Sequence, residues 1–278
     1  MSLRVPLATR RPLVALMWLP LLGSLVGCDD PDPVSLAERL AGARVVDLTH
    51  PLTQETLVWP TSDPFQFDTL FHGLTDAGYY YSARNFSGPE HGGTHLDAPI
   101  HFAEGRWSTD QIPVERLLGP AAVVDVSAQA DADPDYEVGV GDLEEWEEAH
   151  GPIPDGAFLL LSTNRSRHWG DAQAYMGTAR QDEGAVEELE FPGLAPEAAR
   201  WLVENRNISA VGIDTPSIDH GPSTLFESHR ILFEENVFAL ENVARLEELP
   251  ATGAVIIALP MLMEDGTGGP IRILAIWE

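Results

Sequence analysis

His91-Gly92-Gly93-Thr94-His95-Leu96-Asp97-Ala98-Pro99-Ile100-His101-Phe102 gathers three of the chain's nine histidines, with one carboxylate, between His91 and His101. His91 and His95 are four residues apart, so one helical turn would bring both imidazoles to one side. Asp97 and His101 follow closely. Neutral imidazoles with a carboxylate suit Zn²⁺, Fe²⁺ or Mn²⁺. Gly92 and Gly93 allow a tight turn beside the first histidine, and Pro99 stiffens the path from Asp97 to His101. The other reading is a histidine-rich loop without metal, and the concentration of histidines here weighs against it.

Charge narrows the function classes. The chain has 278 residues, 44 acidic against 16 basic, and a formal charge of −28. Every basic residue is arginine; there is no lysine. No basic patch is available to hold a phosphate backbone, which argues against nucleic acid as a partner. The acidity speaks to solubility and solvent, not to fold. The single cysteine, Cys28, rules out an intramolecular disulfide and a cysteine-rich zinc site.

The N-terminus reads as an address. Arg4, Arg10 and Arg11 precede an apolar run from Leu13 to Val26, broken by Pro20 and Gly23. The run is too short and interrupted for a membrane span and fits an export signal. Leu25-Val26-Gly27-Cys28 resembles a bacterial lipobox, which implies cleavage before Cys28 and lipidation of its thiol. Residues 1–27 are therefore expected to be a lipoprotein signal peptide and 28–43 a tether. The anchored protein would lie on the periplasmic or cell-surface side, touching the membrane only through this anchor.

Beyond the tether, strands are expected at Arg44–Thr49, Phe65–Phe71, Tyr79–Phe86, Ala121–Val126, Phe158–Thr163, Ile208–Asp214, Val237–Leu240, Ala254–Leu259 and Ile271–Ile276. Helices are expected over Val34–Ala43, with Leu36, Leu40 and Ala41 on one side, and over Gln111–Leu118. Two more are expected, one opening at Val140 with Asp142 as its N-cap, the other at Pro196–Asn205. Residues 165–190, with His168 and Trp169, read as an excursion that covers the site, and Met261–Gly269 as a loop lining the pocket. His50 reads as structural.

The histidine stretch resembles the signature of the cyclase family of metal-dependent hydrolases, His-x-Gly-Thr-His-x-Asp-x-Pro-x-His, at every fixed position. That family includes bacterial kynurenine formamidases (arylformamidases) and isatin hydrolase. Further likeness lies in Thr49-His50-Pro51-Leu52, in Trp59-Pro60, and in Asp214-Thr215-Pro216-Ser217-Ile218-Asp219. The resemblance implies an α/β fold over 44–278, a single compact domain of mixed β-sheets with flanking helices, of the swivelling β/β/α kind.

It also implies a site. His91, His95, Asp97, His229 and Glu241 would hold one or two divalent ions, Zn²⁺ or Mn²⁺. His91 and His95 would serve one ion and His229 the other, with Asp97 and Glu241 near both. His101 would act as general base and acid. Trp59 would lie beside the substrate, although Thr61-Ser62 lengthens its loop by one residue against the family pattern. Thr94, Asp214 and Asp219 would orient the ligands, or else serve as caps and turn formers. The implied reaction is metal-assisted hydrolysis of a small amide, an aryl formamide as in arylformamidase or a cyclic amide as in isatin hydrolase, by a homodimer. The contrasting class is a metal-binding lipoprotein without catalysis. No Gly-x-Ser-x-Gly elbow is present, which disfavours a serine nucleophile.

Overall fold

The computed structural model describes residues 35–278, so the expected signal peptide, Cys28 and the first residues of the expected tether lie outside the described residues. The strands among them are β1 Arg44–Asp47, β2 Gln66–Leu74, β3 Tyr80–Ser87, β4 His95–Asp97, β5 Leu118–Asp125, β6 Glu137–Val138, β7 Phe158–Ser162, β8 Gly193–Leu194, β9 Ala210–Ile213, β10 Phe238–Glu241, β11 Val255–Pro260 and β12 Gly268–Trp277. The α-helices are α1 Leu36–Gly42, α2 Ser127–Ala132, α3 Val140–His150, α4 Ala172–Met176, α5 Pro196–Asn205 and α6 Glu227–Glu234. None is long and apolar enough to cross a membrane.

The main sheet runs β1-β12-β11-β5-β7-β9-β10-β4, and β4 pairs again with β12, so the sheet closes on itself. β5, β7, β9 and β10 are parallel; β4, β11, β12 and β1 run antiparallel to their neighbours. The mixed α/β architecture is the one expected. The parallel strands are apolar on both faces, as strands covered on both sides must be. In β7, Leu159 and Leu161 pack outward with Leu143, Trp146, Leu202 and Phe233 of the helices. Phe158 and Leu160 pack on the other side with Leu96, Phe238, Leu240, Ile256 and Ile273.

Several local expectations change. Only a 3₁₀ turn, Val114–Leu117, forms where a helix was expected over Gln111–Leu118, because Leu118 already pairs with Ile257 of β11. The N-cap of α3 is Gly139; Asp142 sits three residues on, and its Oδ2 accepts the Gly139 N–H at 2.8 Å. In α1 no residue is buried, so the face carrying Leu36 and Leu40 meets solvent. β2 and β3 pair only with each other, as a hairpin apart from the main sheet. Its apolar side chains are open, among them Leu74 at 75%, Tyr80 at 60% and Phe86 at 54% exposure.

Gly193 in β8 lets the Asp219–His220 backbone approach closely. A Cβ there would stand 2.2 Å from the His220 nitrogen and 2.5 Å from the Asp219 carbonyl carbon. Both are backbone atoms that cannot yield by a rotamer change. Gly193→Ala is expected to lower unfolding free energy by about 2–4 kcal/mol in urea titration. A loss below about 0.5 kcal/mol would mean that this approach is not a fixed part of the fold.

Candidate metal centre

The two ligand types on β4 follow from strand geometry. His95 and Asp97 are two apart, so they point to one face. β10 runs antiparallel beside them with Glu241 directly opposite His95. His95 Nε2 lies 3.0 Å from Asp97 Oδ1 and 3.3 Å from Glu241 Oε2. His229 enters from α6, its Nε2 3.0 Å from Glu241 Oε1 and 3.4 Å from Asp97 Oδ2. His91 Nδ1 is 2.7 Å from Asp97 Oδ1. The structure thus brings all five expected ligands together around Asp97. The local backbone is not the helical turn that four-residue spacing allowed. His91 precedes a turn at Gly93, where φ is +63°, and His95 begins a strand.

Each imidazole is anchored on the side facing away from the cluster. His95 Nδ1–H donates to the Gly93 carbonyl at 2.9 Å. His229 Nδ1–H donates to Asp219 Oδ2 at 2.5 Å. Thr267 Oγ1 gives its one proton to Glu90 Oε2 at 2.5 Å, so it accepts from His91 Nε2–H at 2.9 Å. These contacts fix the tautomers and leave one lone pair of each ring directed inward, the arrangement seen when a histidine ligates a metal.

The donor set fits a divalent cation. His95 Nε2 is buried without a hydrogen-bond partner, although carboxylate oxygens stand close. Burial alone would lower the His95 pKa, but Asp97 and Glu241 raise it to about 10. Burial likewise opposes charge on Asp97, and His91 and His95 nevertheless hold its carboxyl well below the usual range. Excess negative charge is therefore balanced by protons on imidazoles, a place that a cation bound to neutral imidazoles would take. Among the described residues, His95, Asp97 and Glu241 form one group with metal-ligand spacing, and His91, Asp97 and His101 form another.

His101 closes a 3₁₀ turn, Pro99–His101, and stacks on His91 with centroids 3.9 Å apart. Burial pushes its pKa down to about 4, with Asp97 opposing, so it is neutral at pH 7. The cavity above the cluster is walled by Leu57, Val58, Trp59, Phe102, Met176 and Phe226. Trp59 also packs on the cluster of Tyr175, Met176, Leu189 and Phe191, so it is both wall and core. Ser62, from the lengthened loop, reaches the cavity as well.

The expected supporting residues divide. Asp219 does two jobs: it anchors His229 and accepts the Ser228 and His229 N–H groups at 3.0 and 3.2 Å, capping α6. Thr94 bridges strands, donating to the Asn242 carbonyl at 2.7 Å and accepting the His50 N–H at 2.9 Å. Asp214 touches no ligand; it accepts from Thr163 and Ser166 and braces that loop. Burial raises its pKa. Of residues 165–190, Met176 reaches the cavity, while His168 does not. The 261–269 loop supplies no wall; it supports His91 from behind through Thr267. His50 stacks on Trp169 at 4.0 Å, outside the cavity lining. Sequence reading missed Glu90, Thr267, Asn242 and Tyr175. The one available signal was an asparagine directly after Glu241, since asparagine tolerates the left-handed backbone found there.

The family described as "Putative cyclase" matches residues 46–220. That range ends short of His229 and Glu241, which the fold brings to the motif. An isatin hydrolase of Roseibium aggregatum is 35% identical over 195 residues, 67% of this chain and 72% of that protein. A kynurenine formamidase of Bacillus cytotoxicus is 27% identical over 229 residues, 82% of this chain and 95% of that protein. The solved isatin hydrolase A of Ralstonia solanacearum superposes with a TM-score of 0.80 at 36% identity, covering 87% of this chain and 96% of that one.

Removing the metal leaves buried carboxylates and an unpartnered imidazole nitrogen in place. Exhaustive chelation is therefore expected to lower the melting temperature by on the order of 10 °C, and added Zn²⁺ or Mn²⁺ to restore it. An unchanged melting curve, with no metal found in the untreated protein, would refute the centre.

Proposed function

This chain belongs to the cyclase family of metal-dependent hydrolases, and on that premise we propose that it hydrolyses the carbon–nitrogen bond of an aromatic amide. The leading substrate class is an aryl formamide of the N-formylkynurenine type. The level of identity to isatin hydrolases favours a second, a cyclic aryl amide such as isatin. The observation that carries the reading is His101 stacked on the ligand cluster under an apolar, aromatic-walled cavity, where burial lowers its pKa.

His91, His95, Asp97, His229 and Glu241 would hold one or two divalent ions. Nitrogen and oxygen donors without sulfur suit Zn²⁺ or Mn²⁺. Such an ion supplies polarisation of the amide carbonyl and a lowered pKa for water. The chain's own residues do the rest. Trp59, Phe102 and Phe226 hold the aromatic ring. His101 takes a proton from the attacking water as its oxygen bonds to the carbonyl carbon. It then returns that proton to the departing nitrogen as the C–N bond breaks, leaving an acid and an amine. In a cyclic amide both products stay on one molecule.

The exposed hairpin supports a homodimer. A two-stranded hairpin is marginal in water without a covering layer, and open strand edges invite pairing. Between Gln66 and Ser87 the charged residues are only Asp68, Asp76 and Arg84, so little like charge opposes contact here. A lipid anchor at Cys28 would place this dimer outside the cytoplasm.

His101→Ala is expected to keep its metal and lose at least about 100-fold in turnover of N-formylkynurenine or isatin. Metal retained with turnover unchanged, or no turnover of either substrate by the wild type, would reject the reading. Sedimentation is expected to give a dimer for wild type and a monomer for Tyr80→Asp/Phe86→Asp. A monomeric wild type would remove the hairpin's proposed role.

A further inference from the structure

Asn242 follows Glu241 at the end of β10 and sits with φ at +52°, in the left-handed region. Its carboxamide has a hydrogen-bond partner at each end. Nδ2 donates to the Gly93 carbonyl at 2.8 Å, and Oδ1 lies 2.9 Å from the Tyr175 hydroxyl, whose one proton also has the Asp214 carbonyl within reach at 3.1 Å. That carbonyl is the one that receives His95 Nδ1–H. The backbone of Asn242 is held as well: its N–H donates to the Thr215 carbonyl at 2.9 Å, and its carbonyl receives Thr94 Oγ1 at 2.7 Å. Tyr175 is fully buried, and burial holds its phenol well above its usual pKa, so it remains a donor.

We propose that Asn242 is a positioning residue for the metal centre: braced by Tyr175, its carboxamide fixes the Gly93 carbonyl that selects the His95 tautomer. The inference rests on the metal site proposed above. Gly93 lies in a left-handed turn that glycine alone does not hold firmly. The Gly93 N–H donates to the Leu57 carbonyl at 3.2 Å, and the Asn242 amide holds the carbonyl side from the strand that carries Glu241. One residue thereby keeps His95 Nε2 directed at Asp97 and sets the spacing between His95 and Glu241. The pair on β4 and β10 becomes a pre-formed half-site, not two ligands brought together by the ion.

The test uses the full chain, Zn²⁺ affinity by competition with a chromophoric chelator, and the visible spectrum of the Co²⁺ form. Asn242→Gly keeps the left-handed backbone and removes the carboxamide. It is expected to weaken Zn²⁺ binding by about 10–100-fold and to shift the Co²⁺ bands. Tyr175→Phe, which removes the hydroxyl shared by Asn242 Oδ1 and the Asp214 carbonyl, should act in the same direction with a smaller loss. A merely structural role would lower the melting temperature of both variants while leaving affinity and spectrum at wild-type values, and that result would overturn the proposal. If Asn242→Gly does not fold, Tyr175→Phe decides by the same two readouts. Wild-type protein that takes up no Zn²⁺ would overturn the metal site beneath the proposal, an outcome distinct from variants that bind as wild type does.

Discussion

The closure of the main sheet through β4 is the constraint on which the rest depends. A strand of three residues is held between β10 and β12, and two of its three side chains are ionisable and buried. Burying unpaired charge is prohibitive, so the groups packed around β4 are chosen for neutralisation. Asp97 stands among three imidazoles, and Glu241 between two. The outward nitrogens are taken by a backbone carbonyl, a hydroxyl and a carboxylate, so the polar cluster is satisfied at its rim and left open at its centre. Loops and helices near β4 serve that arrangement: α6 is capped by the carboxylate that orients its own histidine.

How much of this was legible in sequence depended on the kind of signal. His91, His95, Asp97 and His101 crowd one stretch and announce themselves. His229 and Glu241 lie far from it in sequence, and each would pass alone as an ordinary residue; only the resemblance linked them to the motif. The apolar runs of β5, β7, β9 and β10 were readable because a strand covered on both faces has no polar alternation. The anchors were not readable. A backbone carbonyl such as that of Gly93 carries no side-chain signature, and Thr267 and Asn242 become supports only through strand pairing and a left-handed turn. Gln111–Leu118 misled because its local pattern allows a helix, while pairing with β11 claims Leu118 for the sheet.

The same chain manages two opposite surface problems. Its body is strongly acidic, which keeps copies apart in solution. Its hairpin is aromatic and nearly uncharged, with no proline in either strand and a bulge only in β2. A free strand edge of that composition is usually blunted by charge. Here the charge is placed elsewhere, and the hairpin is the stretch left without that protection.

β12 is shared by both halves of the architecture. Gly268 to Pro270 pair with β4, and the residues after them pair with β11 and β1. Without it, β4 would be paired on one edge only, and His91 would lack Thr267 behind it. The motif by itself is therefore not the centre: the ligand cluster needs both edges of β4 paired. Opening the sheet at β12 and disordering the site are one and the same event, so amide exchange at the β4–β12 seam and geometry at the ligands rise and fall together.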